Sequence, residues 1–241
     1  AKEWDQYVAK ASGPTNQELP TYAHAVGAVY RNADPSDVVV TAAGGLVGEA
    51  VQIWKPKQIN TFETEWGFSC MGYEISGALG MKMAKPDQDF IVFIGDGSYL
   101  LQNSDIYSSV IYEKKLIIIV CDNSGHMVIN RLQLAKGGKE YLCNFKSSRA
   151  SNFVEIDFAS HAASMGAESE TVTSTSELEA AFLRAKKSKR TYVISIKTHG
   201  YEWLEGTAFW ESPTLEVPNT EGNKQAFKEF KEGKARQRKG V

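Results

Sequence analysis

The chain has 241 residues, 42% of them hydrophobic and 23% charged, with a formal net charge of −2; this suits one sizeable α/β body and excludes a small disulfide-stapled module. The near-neutral balance gives no whole-chain case for nucleic acid, and no apolar run reaches the length of a membrane span. The opening Ala1-Lys2-Glu3-Trp4-Asp5 is not a signal peptide, and Cys70, Cys121 and Cys143 lack metal spacing, so a reducing, cytoplasmic setting is expected.

In chain order, residues 1–19 read as a lead-in broken at Ser12-Gly13-Pro14. A helix is predicted from Pro20 to Asn32, with Tyr22, Val26, Val29 and Tyr30 on one side. A strand follows at 37–42, a helix near 46–54, a short strand near 59–63 and a Gly-rich helix over 69–84. Phe90–Ile94 and Leu116–Cys121 are apolar throughout, as parallel strands buried on both faces are. A helix over about Ser104–Glu113 joins them. Residues 124–150 read as a long loop with partial helix. Phe158–Met165 reads as a helix, 168–172 as a strand, Ser176–Lys187 as a helix and Thr191–Thr198 as the last strand. No internal repeat is visible. The alternation predicts one doubly wound, mostly parallel sheet with helices on both faces, over residues 20–200. Residues 201–241 form an extension whose tail carries Lys224, Lys228, Lys231, Lys234, Arg236, Arg238 and Lys239. That charge run reads as a solvated helix with Phe227 and Phe230 packed on the body.

The chemistry-bearing residues stand at two strand ends. Gly95-Asp96-Gly97-Ser98 follows the first buried strand and Asp122-Asn123 the second. The residues between fit a βαβ unit, and ligands of open α/β sheets sit at the carboxyl ends of strands. Asp96 and Asn123 are thus expected side by side in one crevice. Both offer hard oxygens suited to Mg²⁺ or Ca²⁺. Gly95 and Gly97 permit close backbone approach to a phosphate, and Ser98 adds a hydroxyl and an N–H. In Asn123-Ser124-Gly125 the Gly125 carbonyl is a further candidate ligand. Taken alone, Gly-Asp-Gly is a tight turn; the pairing at this spacing is the specific signal. His126 is either a proton shuttle or a solvent-facing loop residue. His24 and His161 read as helix residues, and His199 follows the last strand. Met71, Ile75, Ala78, Leu79 and Met83 form, by themselves, an ordinary helix stripe.

The paired motif resembles the diphosphate–Mg²⁺ motif of thiamine-diphosphate enzymes. The resemblance implies that Asp96, Asn123 and the Gly125 carbonyl hold the metal. Asp122 stands where many relatives have a first Asn, a position that is not the ligand. It further implies that Met71, 25 positions ahead of Asp96, wedges the cofactor into its bent form. The bend brings the pyrimidine 4′-amino group against the thiazolium C2. Ser69 C=O and Met71 N–H would bond the pyrimidine edge. Gly44 and Gly45, in the loop after the 37–42 strand, would line the first cofactor loop with backbone N–H groups. Gly95, Gly97 and Ser98, with Asn123, Gly125, His126 and Met127 opposite, complete the implied cofactor set. Relatives tend to carry an aromatic residue where His126 stands.

Three further stretches, Glu65–Ile75, Ile129–Gln133 and Lys234–Arg238, are similar to the C-terminal part of the family of trihydroxycyclohexanedione hydrolases of myo-inositol breakdown. That likeness implies hydrolysis of a carbon–carbon bond in a cyclic 1,2-dione to 5-deoxyglucuronate. It also implies a Glu supplied by the pyrimidine-binding domain of a partner subunit. A chain of 241 residues has no room for that domain. The expectation is therefore the C-terminal cofactor-binding domain of a longer, homo-oligomeric enzyme, with weak cofactor binding and no turnover alone. An acetolactate-synthase-like carboligase or decarboxylase domain, a non-catalytic cofactor-binding or assembly domain, and a plain nucleotide-binding domain are the other readings the motifs allow. Neither nucleic acid nor membrane is an expected partner.

Overall fold

A computed structural model of the protein describes residues 2–147, 152–205 and 214–237. Six strands form one sheet: β1 (Val38–Thr41), β2 (Phe62–Thr64), β3 (Phe90–Gly95), β4 (Ile117–Asp122), β5 (Glu168–Val172) and β6 (Tyr192–Lys197). Their order is β2-β1-β3-β4-β6-β5, and every neighbouring pair is parallel. From β1 the chain steps outward to β2, then returns to place β3 on the other side of β1. The order thus reverses between β1 and β3, the kind of point where such sheets open a ligand crevice.

Successive residues of a strand face opposite sides, and the core divides accordingly. On one side Val39, Ile91, Phe93, Ile119 and Ile194 pack against helices α2 (Tyr22–Asn32), α3 (Gly44–Ile53) and α9 (Thr175–Lys187), through residues such as Val26, Leu46 and Phe182. On the other, Val40, Val92, Ile94, Ile118 and Val193 meet α4 (Tyr73–Ala84), α5 (Asp96–Leu101), α6 (Asp105–Ile111) and α8 (Phe158–Ser164), through Ile75, Tyr99, Ile106 and Phe158. The doubly wound α/β architecture expected from the alternation is the one observed. Among the described residues no helix is long and apolar enough to cross a membrane.

Several elements differ from the sequence reading. The first segment contains a helix, α1 (Lys2–Ala11), whose Val8 is buried in the first core cluster. Strand β2 begins only at Phe62, because Asn60 is in the left-handed region (φ 62°) and turns the chain just ahead of it. Helix α4 begins at Tyr73 rather than 69. Gly72 has φ 99° and halts helical backbone there, and a Cβ at this position would strike the Gln102 side chain. The single helix expected after the first motif is two short ones, α5 and α6, and the first starts at Asp96 itself.

The described residues form two compact units. The first comprises residues up to Gly125 together with Val154–Leu204; the second comprises His126–Phe153 and residues from Glu205 onward. Within the second, α7 (Met127–Ala135), a 3₁₀ turn (Phe145–Ser147) and α10 (Glu221–Arg236) are ordered parts. Gly137 (φ 72°) lies against the Gly222 backbone, and Asn223 Nδ2 donates to Lys136 O at 2.8 Å. On α10, Phe227 and Phe230 are half-buried, with the ammonium groups of Lys231 and Lys234 at 4.3 and 5.8 Å from their ring centres.

At the amino end of the sheet, Lys186 of α9 reaches Asp37, Asp89 and Asp34 at 2.6, 2.9 and 3.0 Å, and Lys115 reaches Asp89 at 3.1 Å. The Asp37 side chain is 2% exposed. Burial alone would lower the Lys186 pKa, but hydrogen bonds to the three carboxylates outweigh it and hold the amine above the ordinary lysine range. Such stabilisation is complete below the unfolded lysine value of about 10.4 and is lost as pH rises through the elevated folded value. Lys186→Met strands the buried Asp37 and should cost about 3 kcal/mol or more at pH 7. Urea unfolding checks this: a variant within 1 kcal/mol of wild type would contradict it.

Candidate functional site

The carboxyl ends of β3 and β4 bring the two motifs together. Gly95 pairs in register with Cys121, so Asp96 and Asp122 leave neighbouring strands side by side. Asp96, 1% exposed, opens α5, and its Oδ2 accepts the Gly125 N–H at 2.7 Å. One hydrogen bond therefore joins the first turn to the second.

Asp122 is nearly as buried, at 4% exposure. Its Oδ1 accepts the Ser124 N–H at 2.8 Å, and its Oδ2 pairs with Lys197 Nζ at 2.7 Å. Ser124 is left-handed (φ 62°), which folds the Asn123-Ser124-Gly125 turn back over the strand end. Asn123 Nδ2 donates to Tyr22 Oη at 2.6 Å, while its Oδ1 is buried with no hydrogen-bond partner. An orphaned buried oxygen calls for an explanation such as a bound ion. Thr41, Thr64 and Thr198, at or just past the ends of β1, β2 and β6, also bury unpartnered hydroxyls at this edge.

Burial, then the negative charge of Asp122, pushes the Asp96 carboxyl well above its usual range, against the lowering pull of the Gly125 and Gly97 N–H groups. A cation at this point reverses that balance and favours the carboxylate. Lys197 already compensates Asp122, which leaves Asp96 as the acidic donor. Among the described residues no group of three or more His, Cys, Asp or Glu side chains is placed to hold a metal ion by itself. The available donors are one carboxylate, one amide oxygen and backbone carbonyls, all hard oxygens of the kind Mg²⁺ accepts.

Three more segments reach this region of the fold. Ala42 and Ala43 connect β1 to α3, which opens with Gly44 and Gly45; Gly44 has φ 77°, and α3 begins without a side-chain cap, leaving backbone N–H groups at its start. Ser98 is buried in the first turn of α5. The loop ahead of α4 carries Ser69, exposed and left-handed (φ 51°), and Met71, half-buried. Glu65 folds this loop by accepting the Phe68 and Cys70 N–H groups at 2.8 and 2.7 Å, and those bonds hold its carboxylate below the usual range. His126 and Met127 belong to the second unit. There His126 N–H donates to Cys143 O at 2.8 Å, its ring meets Phe145 edge-on, and Met127 is 4% exposed.

Three residues escaped the sequence reading. Tyr22, assigned to a helix face, orients Asn123. Lys197, the one charge closing an apolar strand, neutralises Asp122; its signal is the acidic residue that replaces the first Asn. Glu74 is fully buried and accepts the Ala43 N–H at 3.2 Å and the Gly72 N–H at 2.7 Å. Its signal is an acidic residue on the apolar side of a helix.

Known proteins resemble the chain in both sequence and fold. Residues 42–196 match the family described as "Thiamine pyrophosphate enzyme, C-terminal TPP binding domain". The 3D-(3,5/4)-trihydroxycyclohexane-1,2-dione hydrolase of Lacticaseibacillus casei is 36% identical over 95% of this chain, which spans 36% of that protein. The enzyme of the same name from Halalkalibacterium halodurans is 37% identical over 80% of the chain, which spans 31% of it. The chain thus covers about a third of these relatives. A Rhodococcus jostii RHA1 thiamine diphosphate-dependent 4-hydroxybenzoylformate decarboxylase shares the fold over 78% of the chain and 34% of its own, with a TM-score of 0.69 and 17% identity. The matched segment runs from the loop after β1 to the end of β6 and contains both strand-end motifs, so the chain belongs to the family of C-terminal TPP-binding domains of thiamine pyrophosphate enzymes.

Proposed function

We propose that this chain is the cofactor-binding part of a longer hydrolase that uses thiamine diphosphate and Mg²⁺ to break a carbon–carbon bond in a cyclic 1,2-dione. The observation that carries the reading is the hydrogen bond that ties Asp96 to the Asn123-Ser124-Gly125 turn, in which the buried Asn123 Oδ1 has no partner, at the carboxyl edge of the sheet. The donor set fits the metal: Asp96 supplies charge, Asn123 a neutral oxygen and the Gly125 carbonyl a third ligand. Likeness to two hydrolases at 36% and 37% identity over most of the chain supports this substrate class over a carboligase or decarboxylase.

The chain's own residues divide the work. Gly44, Gly45, Gly95, Gly97 and Ser98 provide close backbone approach and hydrogen-bond donors to the diphosphate. Met71 gives the cofactor its apolar support, and the Ser69 carbonyl and Met71 N–H meet the pyrimidine edge. Tyr22 holds the Asn123 amide so that its oxygen, not its nitrogen, is left for the metal. Lys197 keeps Asp122 from adding a second uncompensated charge. Bound thiamine diphosphate supplies the electron sink for carbon–carbon cleavage.

The activating Glu is assigned to the pyrimidine-binding domain of a partner subunit in a cytoplasmic homo-oligomer. The isolated chain then binds cofactor weakly and does not turn over. Dione hydrolysis by the purified chain alone would overturn that statement.

Thermal melting tests the site. Ligand that binds only the native state adds about 2.7 kcal/mol at a hundred times Kd. Thiamine diphosphate with Mg²⁺ should raise the wild-type midpoint, and Asp96→Ala should show no rise; no rise in wild type at millimolar cofactor, or an equal rise in the variant, would refute the assignment.

Tyr22→Phe leaves the Asn123 amide donor buried and unpaired, at a cost of about 1 kcal/mol or more. The Mg²⁺ concentration that gives half the melting shift should rise about tenfold, as expected for loss of a ligand-orienting group. Unchanged Mg²⁺ dependence would remove Tyr22 from this role.

A further inference from the structure

We propose that Glu74 is a positioning residue that holds two separate cofactor-binding segments in register with one another. This rests on the cofactor reading above. One carboxylate oxygen accepts the Ala43 N–H of the β1–α3 loop, and the other accepts the Gly72 N–H of the loop ahead of α4. These segments carry, in turn, Gly44 and Gly45, and Met71.

The physical case is one of necessity. Glu74 is 0% exposed, and an acidic side chain in an apolar interior is costly unless hydrogen bonds satisfy it. The groups that satisfy it lie 31 and 2 residues away along the chain. The Gly72 contact is local to the start of α4, whereas the Ala43 contact joins a segment that no local motif would bring there. Both oxygens are engaged by protein, so Glu74 acts on a ligand only through the backbone it positions. Gly72 is further confined, since its left-handed φ of 99° and the abutting Gln102 side chain leave it little freedom. Diphosphate and pyrimidine sites would otherwise ride on independent loops. The shared carboxylate links them, and such preorganisation reduces the ordering cost of binding.

Glu74→Gln tests this with little change of volume. The amide offers one acceptor oxygen, so either the Ala43 or the Gly72 N–H faces an NH₂ group and is released. Titration calorimetry with thiamine diphosphate at fixed Mg²⁺, on the full 241-residue chain, should show affinity about tenfold weaker. The ligand-free melting midpoint should stay within a few degrees of wild type. Hydrogen exchange should quicken at Ala43 or Gly72 while the amides of β3 and β4 keep their protection. Wild-type affinity in Glu74→Gln, or an affinity loss accompanied by equally faster exchange throughout the sheet, overturns the proposal. Asp96→Asn, run alongside, separates the two readings: wild-type binding in that variant refutes the cofactor site itself, whereas its loss with intact binding in Glu74→Gln refutes only the role of Glu74. If Glu74→Gln does not fold, ligand-free exchange in wild type decides. Core-like protection at both amides supports the linkage, and fast exchange at either refutes it.

Discussion

Parallel strand pairing forces two carboxylates, Asp96 and Asp122, to leave adjacent strands together in a buried place. Like charges so close in low dielectric repel strongly, and the surrounding structure answers each differently. Asp122 is closed off by the Ser124 N–H and Lys197. Asp96 receives the Gly125 N–H, and burial beside Asp122 keeps its carboxyl reluctant to ionise. The asymmetry makes one acid a structural ion pair and leaves the other as the donor that the proposed metal completes. Tyr22 fits the same scheme, because its hydrogen bond to the Asn123 amide nitrogen leaves the amide oxygen free.

The two ends of the sheet use charge in opposite ways. At the amino end Asp34, Asp37 and Asp89 are matched by Lys186 and Lys115, a network that fastens α9 to the starts of β1 and β3. At the carboxyl end buried polar atoms remain unpartnered on Thr41, Thr64, Asn123 and Thr198. Buried polar groups are nearly always satisfied, so their gathering at one edge marks where a ligand belongs in the proposed reading. The topology agrees, since the strand order reverses between β1 and β3, and the Gly44–Gly45 and Gly95–Ser98 turns flank that reversal.

Much of the fold was legible because its central strands are short, continuous apolar runs. Ile117–Asp122 and Phe90–Gly95 need little beyond hydrophobicity to be found. The boundaries that shifted did so for backbone reasons. The helix expected from 69 starts at Tyr73 because Gly72 sits in the left-handed region, a conformation that glycine permits and does not announce. The helix after the first motif begins at Asp96, since the turn is itself helical. Helix α1 went unread, its buried contribution resting on Val8. Of the proposed site, Asp96, Asn123 and Gly125 were legible from spacing and position after buried strands. Tyr22 and Glu74 were not, because their partners lie far along the chain: Asn123 for the first, Ala43 for the second.

The sequence by itself determined the order of strands and helices, the placing of two acidic turns after buried strands, and family membership, all of which depend on local pattern and spacing. Only the tertiary structure decided which carboxylate is neutralised, which oxygen of the site is left without a partner, and which buried side chain joins the loops. Those outcomes depend on strand register and on contacts between segments dozens of residues apart, and no local pattern encodes a distance in space.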